Sequence, residues 1–165
     1  MEKLYIVIPA YNEAENIQGV VEEWYRVLEL ADMSKESRLL VIDDGSRDDT
    51  FQILCGMKEK IPKLLVATKD NSGHGPTLLY GYQYAIREGA DFIFQTDSDG
   101  QTRPEEFEGF WKKRADYDMV IGYRNKRQDG CSRVFVTKVL KLVIWICFGV
   151  KVTDANTPFR LMNAE

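Results

Sequence analysis

Short apolar runs, each halting at a polar motif, alternate along this chain with segments of helical periodicity. Residues 4–8, LYIVI, read as a strand ending at Pro9. From Glu15 onward, Ile17, Val20, Val21, Trp24, Leu28 and Ala31 keep the spacing of one helix face. Residues 38–42 predict a second strand, running into Asp43-Asp44-Gly45-Ser46, and then a short helix with Phe51, Leu54 and Met57 inward. Residues 64–67 predict a third strand. The loop 71–76, NSGHGP, follows it and feeds a helix with Leu78, Tyr82, Ala85 and Ile86 on one face. Residues 91–95 predict a fourth strand, ending at the motif 97–101, DSDGQ. Thr102-Arg103-Pro104-Glu105 then reads as a capping box, opening a helix that buries Phe107, Phe110 and Trp111. Residues 119–121 predict a fifth strand. This alternation implies an α/β fold, a mostly parallel sheet with helices on both faces. No repeat, low-complexity tract or interdomain linker interrupts the 165 residues, so one domain is expected.

In such a sheet ligands bind at the carboxyl ends of the strands. The polar motifs fall there: Tyr11, Asn12 and Glu13 after the first strand, Asp43 and Asp44 at the second, the glycines from Gly73 to Gly75 after the third, Asp97 and Asp99 after the fourth. Carboxylates gathered on one rim repel each other unless a ligand or cation compensates them. The DSDGQ motif is no calcium EF-hand, because Gly100 comes fourth where such a loop needs its glycine sixth. A turn alone accounts for Gly100 and one aspartate. The second acid at the rim points instead to an open site for Mg²⁺ or Mn²⁺, ions that complete their shell with water and substrate phosphate. Asp43 or Asp44 could accept hydrogen bonds from a nucleobase or ribose. NSGHGP lacks the third glycine of a dinucleotide fingerprint and no Walker lysine follows, yet a glycine turn at a helix N-terminus can bring amides to a phosphate. His74 is the one histidine, and as a loop residue it is not assigned as a base.

A net charge of −4 and no basic stripe argue against nucleic acid as a partner. Cys55, Cys131 and Cys147 show neither a zinc spacing nor a disulfide framework, which fits a reducing, cytoplasmic setting. MEKLYIVIPAYNE does not read as a secretory signal. Residues 133–152 are strongly apolar but carry Lys138 and Lys141, and the uncharged run 142–150 is too short to span a bilayer. That segment is either a core helix or one lying on a membrane surface.

IPAYNEAENI, VIDDGSRDDT, NSGHG, QTDSDGQ and the late DANTPFRLM, taken in order, resemble the family 2 glycosyltransferases. More narrowly they resemble the branch of dolichol-phosphate mannose synthase, whose members transfer a sugar to a polyprenyl phosphate. The resemblance implies a GT-A, Rossmann-like fold, a GDP- or UDP-linked sugar donor, a divalent metal, Mg²⁺ or Mn²⁺, and single displacement with inversion. By position, Pro9, Ala10, Tyr11 and Glu13 would line the nucleoside pocket, with Asp43 and Asp44 at the base or ribose and Gly73 and Ser98 also on the nucleotide. Asp97, Asp99 and Gln101 would hold the metal and diphosphate. Asp154 would approach the reacting sugar and Arg160 would complete that segment. Arg124 and Arg133 would flank the lipid phosphate, and the apolar helix after Arg133 would face the membrane, placing the protein peripherally on its cytoplasmic side. Relatives continue into further helices, so a catalytic domain cut short at its C-terminus is expected.

The sequence departs from that pattern at His74, where lysine is common, at Thr102, where histidine is, and at Thr157-Pro158, where Ser-Gly is frequent. Two other readings stay open: transfer to a saccharide hydroxyl, with Asp154 as base, and a non-catalytic nucleotide-binding module. A receiver-like domain fits poorly, since its acids follow the first and third strands rather than the second and fourth.

Overall fold

Pro9 lies inside the first strand, not beyond it: β1 runs Leu4–Ala10 and is buried throughout. In a parallel pair each residue turns its N–H and C=O to the same neighbour. Ala10 C=O accepts from Asp44 N–H, so Ala10 bonds towards β2 (Arg38–Asp43) and Pro9 faces the other side. There the pairing with β4 (Phe92–Gln95) has already ended at Val7↔Gln95. A residue without an N–H is tolerated where no ladder bond is asked of it.

The computed structural model describes residues 1–30, 33–122, 146, 149 and 157–165. The chain divides into two compact units, residues 1–120 with 159–165, and residues 121–158. The second lies almost wholly outside the described residues. So do Ala31, Arg124, Arg133, Asp154 and, apart from Ile146 and Gly149, the apolar segment 133–152. Among the described residues no helix is long and apolar enough to cross a membrane.

Among the described residues six strands form one sheet in the order β3-β2-β1-β4-β6-β5, with β3 at Leu64–Thr68, β5 at Met119–Ile121 and β6 at Arg160–Asn163. The pairs β1–β2, β2–β3 and β1–β4 are parallel. β6 runs antiparallel to β4, from Phe92↔Asn163 to Gln95↔Arg160, and was not predicted. The mostly parallel α/β architecture is otherwise as expected. Alternation along each strand divides the core between the two faces. Leu4, Ile6, Ile8, Leu39, Val41 and Phe94 meet α1 (Ile17–Leu30), α2 (Thr50–Lys58) and α4 (Phe107–Trp111). Phe94 anchors that face, with ring centroids 5.0 Å from Phe107, 5.4 Å from Trp24 and 5.4 Å from Phe159. On the opposite face Tyr5, Val7, Leu40, Ile42 and Ile93 meet α3 (His74–Arg87) through Leu78 and Ala85.

Three local expectations need correction. α3 begins at His74, so the loop is shorter than predicted, and Pro76 sits in the first turn where its missing N–H leaves nothing unpaired. Ile86 is exposed rather than inward; Thr77, Leu78, Gly81 and Ala85 are the residues that α3 buries. The capping box does not form. A 3-10 turn, Pro104–Glu106, precedes α4 with no side-chain cap, and the buried Thr102 hydroxyl has no hydrogen-bond partner.

Candidate active site

The winding direction reverses at β1, because β2 and β3 lie on one side of it and β4 on the other. A doubly wound sheet opens a crevice at such a switch point. Here the loops after β1, β2, β3 and β4 converge on it.

The loop after β1 is fastened to the loop after β2. Asn12 adopts the left-handed backbone region, φ 56°, which asparagine tolerates better than most residues. Its N–H donates to the Ser46 hydroxyl at 3.0 Å, and its Oδ1 accepts from Arg47 N–H at 2.8 Å. Glu13 N–H donates to Thr50 Oγ1 at 2.9 Å and Ala14 N–H to Asp48 Oδ2 at 3.1 Å. Glu13 C=O accepts from Asn16 and Ile17 N–H and so starts α1. The Thr50 hydroxyl, with the N–H groups of Thr50 and Ala14, holds the Asp48 carboxyl below its usual pKa against a smaller opposing effect of burial.

Asp43 ends β2 and Asp44 follows it. Asp43 ties two loops together: its Oδ1 accepts from Ser46 N–H at 3.2 Å and its Oδ2 from the Thr68 hydroxyl at 2.8 Å. Asp44 faces the loop after β3. Its Oδ1 accepts from Lys69 Nζ and from Ser72 N–H at 3.1 Å, and its Oδ2 from Gly73 N–H at 2.9 Å. Gly73 caps α3 with φ 92°, a left-handed conformation that suits glycine. Burial, the largest single influence, would raise the Asp44 pKa; the Lys69 ammonium and the donors at Ser72, Thr77 and Gly73 together outweigh it and lower it.

Between these loops lies a cavity of about 370 Å³. Pro9, Ala10, Tyr11, Glu13, Asp44, Gly73 and Ser98 line it, so seven of the residues assigned to the nucleotide lie together. Asn71, His74 and Thr77 complete the lining. Asp43 and Asp97 are outside it. Asp97 stands close by, with His74 Nε2 4.0 Å from its Oδ1. Asp99 is exposed, and its Oδ1 accepts from Gln101 N–H at 2.9 Å. Among the described residues no three His, Cys, Asp or Glu side chains converge on one point, so these residues build no closed metal cage. An exposed carboxylate beside a half-buried one still fits Mg²⁺ or Mn²⁺, which take few protein ligands and keep the rest for water and phosphate.

Arg160 of β6 pairs with Gln95, two residues before Asp97. Both Arg160 and Asp97 act on Tyr82, whose hydroxyl donates to Gln95 Oε1. Burial chiefly raises the Tyr82 pKa, Arg160 opposes and Asp97 reinforces it. Lys69 escaped the sequence reading. Its signal was a lone cation ending the third strand, level with the acidic pair that ends the second.

The fold and the site together define a doubly wound α/β domain with its ligand cavity at the switch point and an acidic pair beside it. The family model for glycosyl transferase family 2 matches residues 5–162, and the chain belongs to that family. An undecaprenyl-phosphate 4-deoxy-4-formamido-L-arabinose transferase of Sodalis glossinidius (strain morsitans) is 30% identical over 163 residues, covering 97% of this chain and 48% of that protein. The chain thus spans about half the length of the curated relatives it matches. Among solved structures, mannosyl-3-phosphoglycerate synthase from Rubrobacter xylanophilus superposes with a TM-score of 0.74 at 17% identity, covering 99% of this chain and 54% of that one. A mannosyltransferase from Pyrobaculum calidifontis in complex with GDP-Man and Mn²⁺ gives 0.64 at 19% identity, covering 98% and 44%. The GT-A fold is therefore the one expected.

Proposed function

We propose that this chain is the donor-binding catalytic domain of a metal-dependent, inverting glycosyltransferase that moves a sugar from a nucleotide-diphospho-sugar to a polyprenyl phosphate. The observation that carries the reading is the cavity at the switch point, which gathers Pro9, Ala10, Tyr11, Glu13, Asp44, Gly73 and Ser98 beside Asp97. Its size suits a nucleoside, and the N-terminus of α3 borders it where a diphosphate would gain from backbone amides and the helix dipole. The named relative supports the acceptor class.

Asp97, Asp99 and Gln101 would hold Mg²⁺ or Mn²⁺. That ion would stabilise the charge developing on the departing nucleoside diphosphate. Asp44 would orient the nucleoside, and Tyr11, exposed at the cavity edge, would cover it. Arg124, Arg133 and Arg160 would position the acceptor phosphate by charge-assisted hydrogen bonds, with Asp154 approaching the reacting sugar. An acceptor phosphate is already an anion, so little is asked of a general base. Because a polyprenyl phosphate is a membrane lipid, the reaction would take place at the cytoplasmic membrane face.

The test is radiolabelled transfer from nucleotide sugars to undecaprenyl or dolichyl phosphate, run beside saccharide acceptors, with Mn²⁺ or with EDTA. Lipid-linked product that EDTA abolishes is expected. Product on saccharides alone would overturn the acceptor assignment. Calorimetry showing no metal-dependent binding of any nucleoside diphosphate would overturn the whole reading.

A further inference from the structure

We propose that Lys69 is a specificity-determining residue: by occupying Asp44 Oδ1 it leaves the cavity one carboxylate acceptor, which selects a donor with a uracil-type base over one with guanine. The proposal rests on the reading that the cavity holds a nucleoside diphosphate.

It follows from counting donors and acceptors. A carboxylate oxygen has two lone-pair sites. Oδ1 of Asp44 already receives Lys69 Nζ and Ser72 N–H, so it is full. Oδ2 receives Gly73 N–H. The Thr77 hydroxyl also lies near Asp44, but it has one proton and sits 2.9 Å from Gly73 O, so it serves one acceptor at a time. Asp44 therefore offers a ligand at most one site, on Oδ2.

Lys69 is committed in the same way. Its three N–H bonds have three partners: Asp44 Oδ1, Ser72 Oγ and Asp70 O, the last at 3.1 Å. The lysine is thus a positioning residue, anchored wholly within the chain, and keeps Oδ1 occupied.

The bases differ in what they ask of a carboxylate. Uracil and thymine present one N–H between two carbonyl oxygens, and a single acceptor satisfies it. Guanine presents two adjacent N–H donors, which a carboxylate meets by giving both oxygens. Here one of those donors would be buried against a full Oδ1. Cytosine presents a ring nitrogen that is itself an acceptor and would face a carboxylate. Asn71, whose side chain both donates and accepts, lines the same cavity and can serve a flanking carbonyl.

Calorimetry of the whole chain with UDP, GDP and CDP in Mn²⁺ tests this. UDP is expected to bind about tenfold tighter than GDP or more, the scale of one unmatched buried donor. GDP binding equally or better would overturn the proposal and leave the nucleotide-binding reading intact. Failure of all three nucleotides would overturn both. Lys69→Met reopens a site on Oδ1 and is expected to narrow the UDP:GDP ratio at least severalfold. A lysine with only a structural role would weaken both nucleotides alike, and an unchanged ratio in the folded variant would overturn the proposal.

Discussion

Gly81 of α3 faces Val7 of β1 so closely that a Cβ on the glycine would lie 2.5 Å from Val7 Cγ1 and 2.7 Å from Ile42 Cδ1. The missing side chain lets the helix settle on the sheet. Because the N-terminus of that helix borders the cavity, a packing contact two turns away sets where Gly73, His74 and Thr77 stand. Gly81→Ala is expected to destabilise the fold by about 1–3 kcal/mol, the usual scale of overpacking. Val7→Ala costs stability of its own as a fully buried residue, but in the Gly81→Ala background it also relieves the clash, so its cost there should be smaller. A double-mutant cycle by urea unfolding checks it, with the pair less destabilised than the sum of the singles. Strict additivity would show that the contact does not limit the approach of α3.

The parallel strands were legible because each is a short β-rich run that stops at a polar motif, and the rim residues were legible because those stops share one edge. β6 was not. Its four residues, RLMN, carry no clear period, and only pairing with β4, some seventy residues earlier, makes them a strand. Leu78 and Ala85 of the expected stripe are buried, but the inward face is centred towards Gly81, which leaves Ile86 exposed, and a glycine contributes nothing to a hydrophobic pattern. Thr102 had the spacing of a capping box, but the chain begins with a 3-10 turn, so the expected amide is not presented to it. At the site, residue types at strand ends located the cavity. They did not reveal that Asp43 bonds Ser46 and Thr68 while Asp44 is shared with Lys69, because such partners depend on how loops fold against one another.

Thr50 joins two of those loops from a fully buried position, accepting from Glu13 N–H at 2.9 Å and donating to Asp48. Thr50→Val preserves shape and removes the hydroxyl. Glu13 N–H then loses its acceptor, at an expected cost of about 1–3 kcal/mol. Urea unfolding should show a lower midpoint with an unchanged slope. Nucleotide affinity should fall as well, because Glu13 lines the cavity. A variant as stable as the parent would show that the bonds of Asn12 to Ser46 and Arg47, with that of Ala14 to Asp48, hold the β1 loop without Thr50.

Asp99 is exposed and accepts one backbone N–H, from Gln101, which an asparagine oxygen can also accept. Asp99→Asn should therefore leave the metal-free protein within about 0.5 kcal/mol of the parent. Its effect is expected only when metal and nucleotide are added: the melting-temperature rise produced by Mn²⁺ with a nucleoside diphosphate should vanish. A full rise in the variant, measured by differential scanning fluorimetry, would remove Asp99 from the metal site.

Asp44 supplies the pH dependence with the clearest sign. Its pKa is lower folded than unfolded, so it contributes stability above the ordinary carboxylate value of about 3.9, and that stability is lost as pH falls through the folded value beneath it. Burial acts in the opposite direction, and the Lys69 ammonium is the largest of the groups that overcome it. Lys69→Met removes that lowering influence, so the Asp44 pKa would climb and the protein would begin to lose stability at a higher pH than the parent. Acid unfolding followed by circular dichroism at fixed ionic strength should place the variant's midpoint above the parent's. Coincident midpoints would mean that the amides of Ser72 and Gly73 suffice to keep Asp44 ionised, and that the lysine matters only for shaping the loop between β3 and α3.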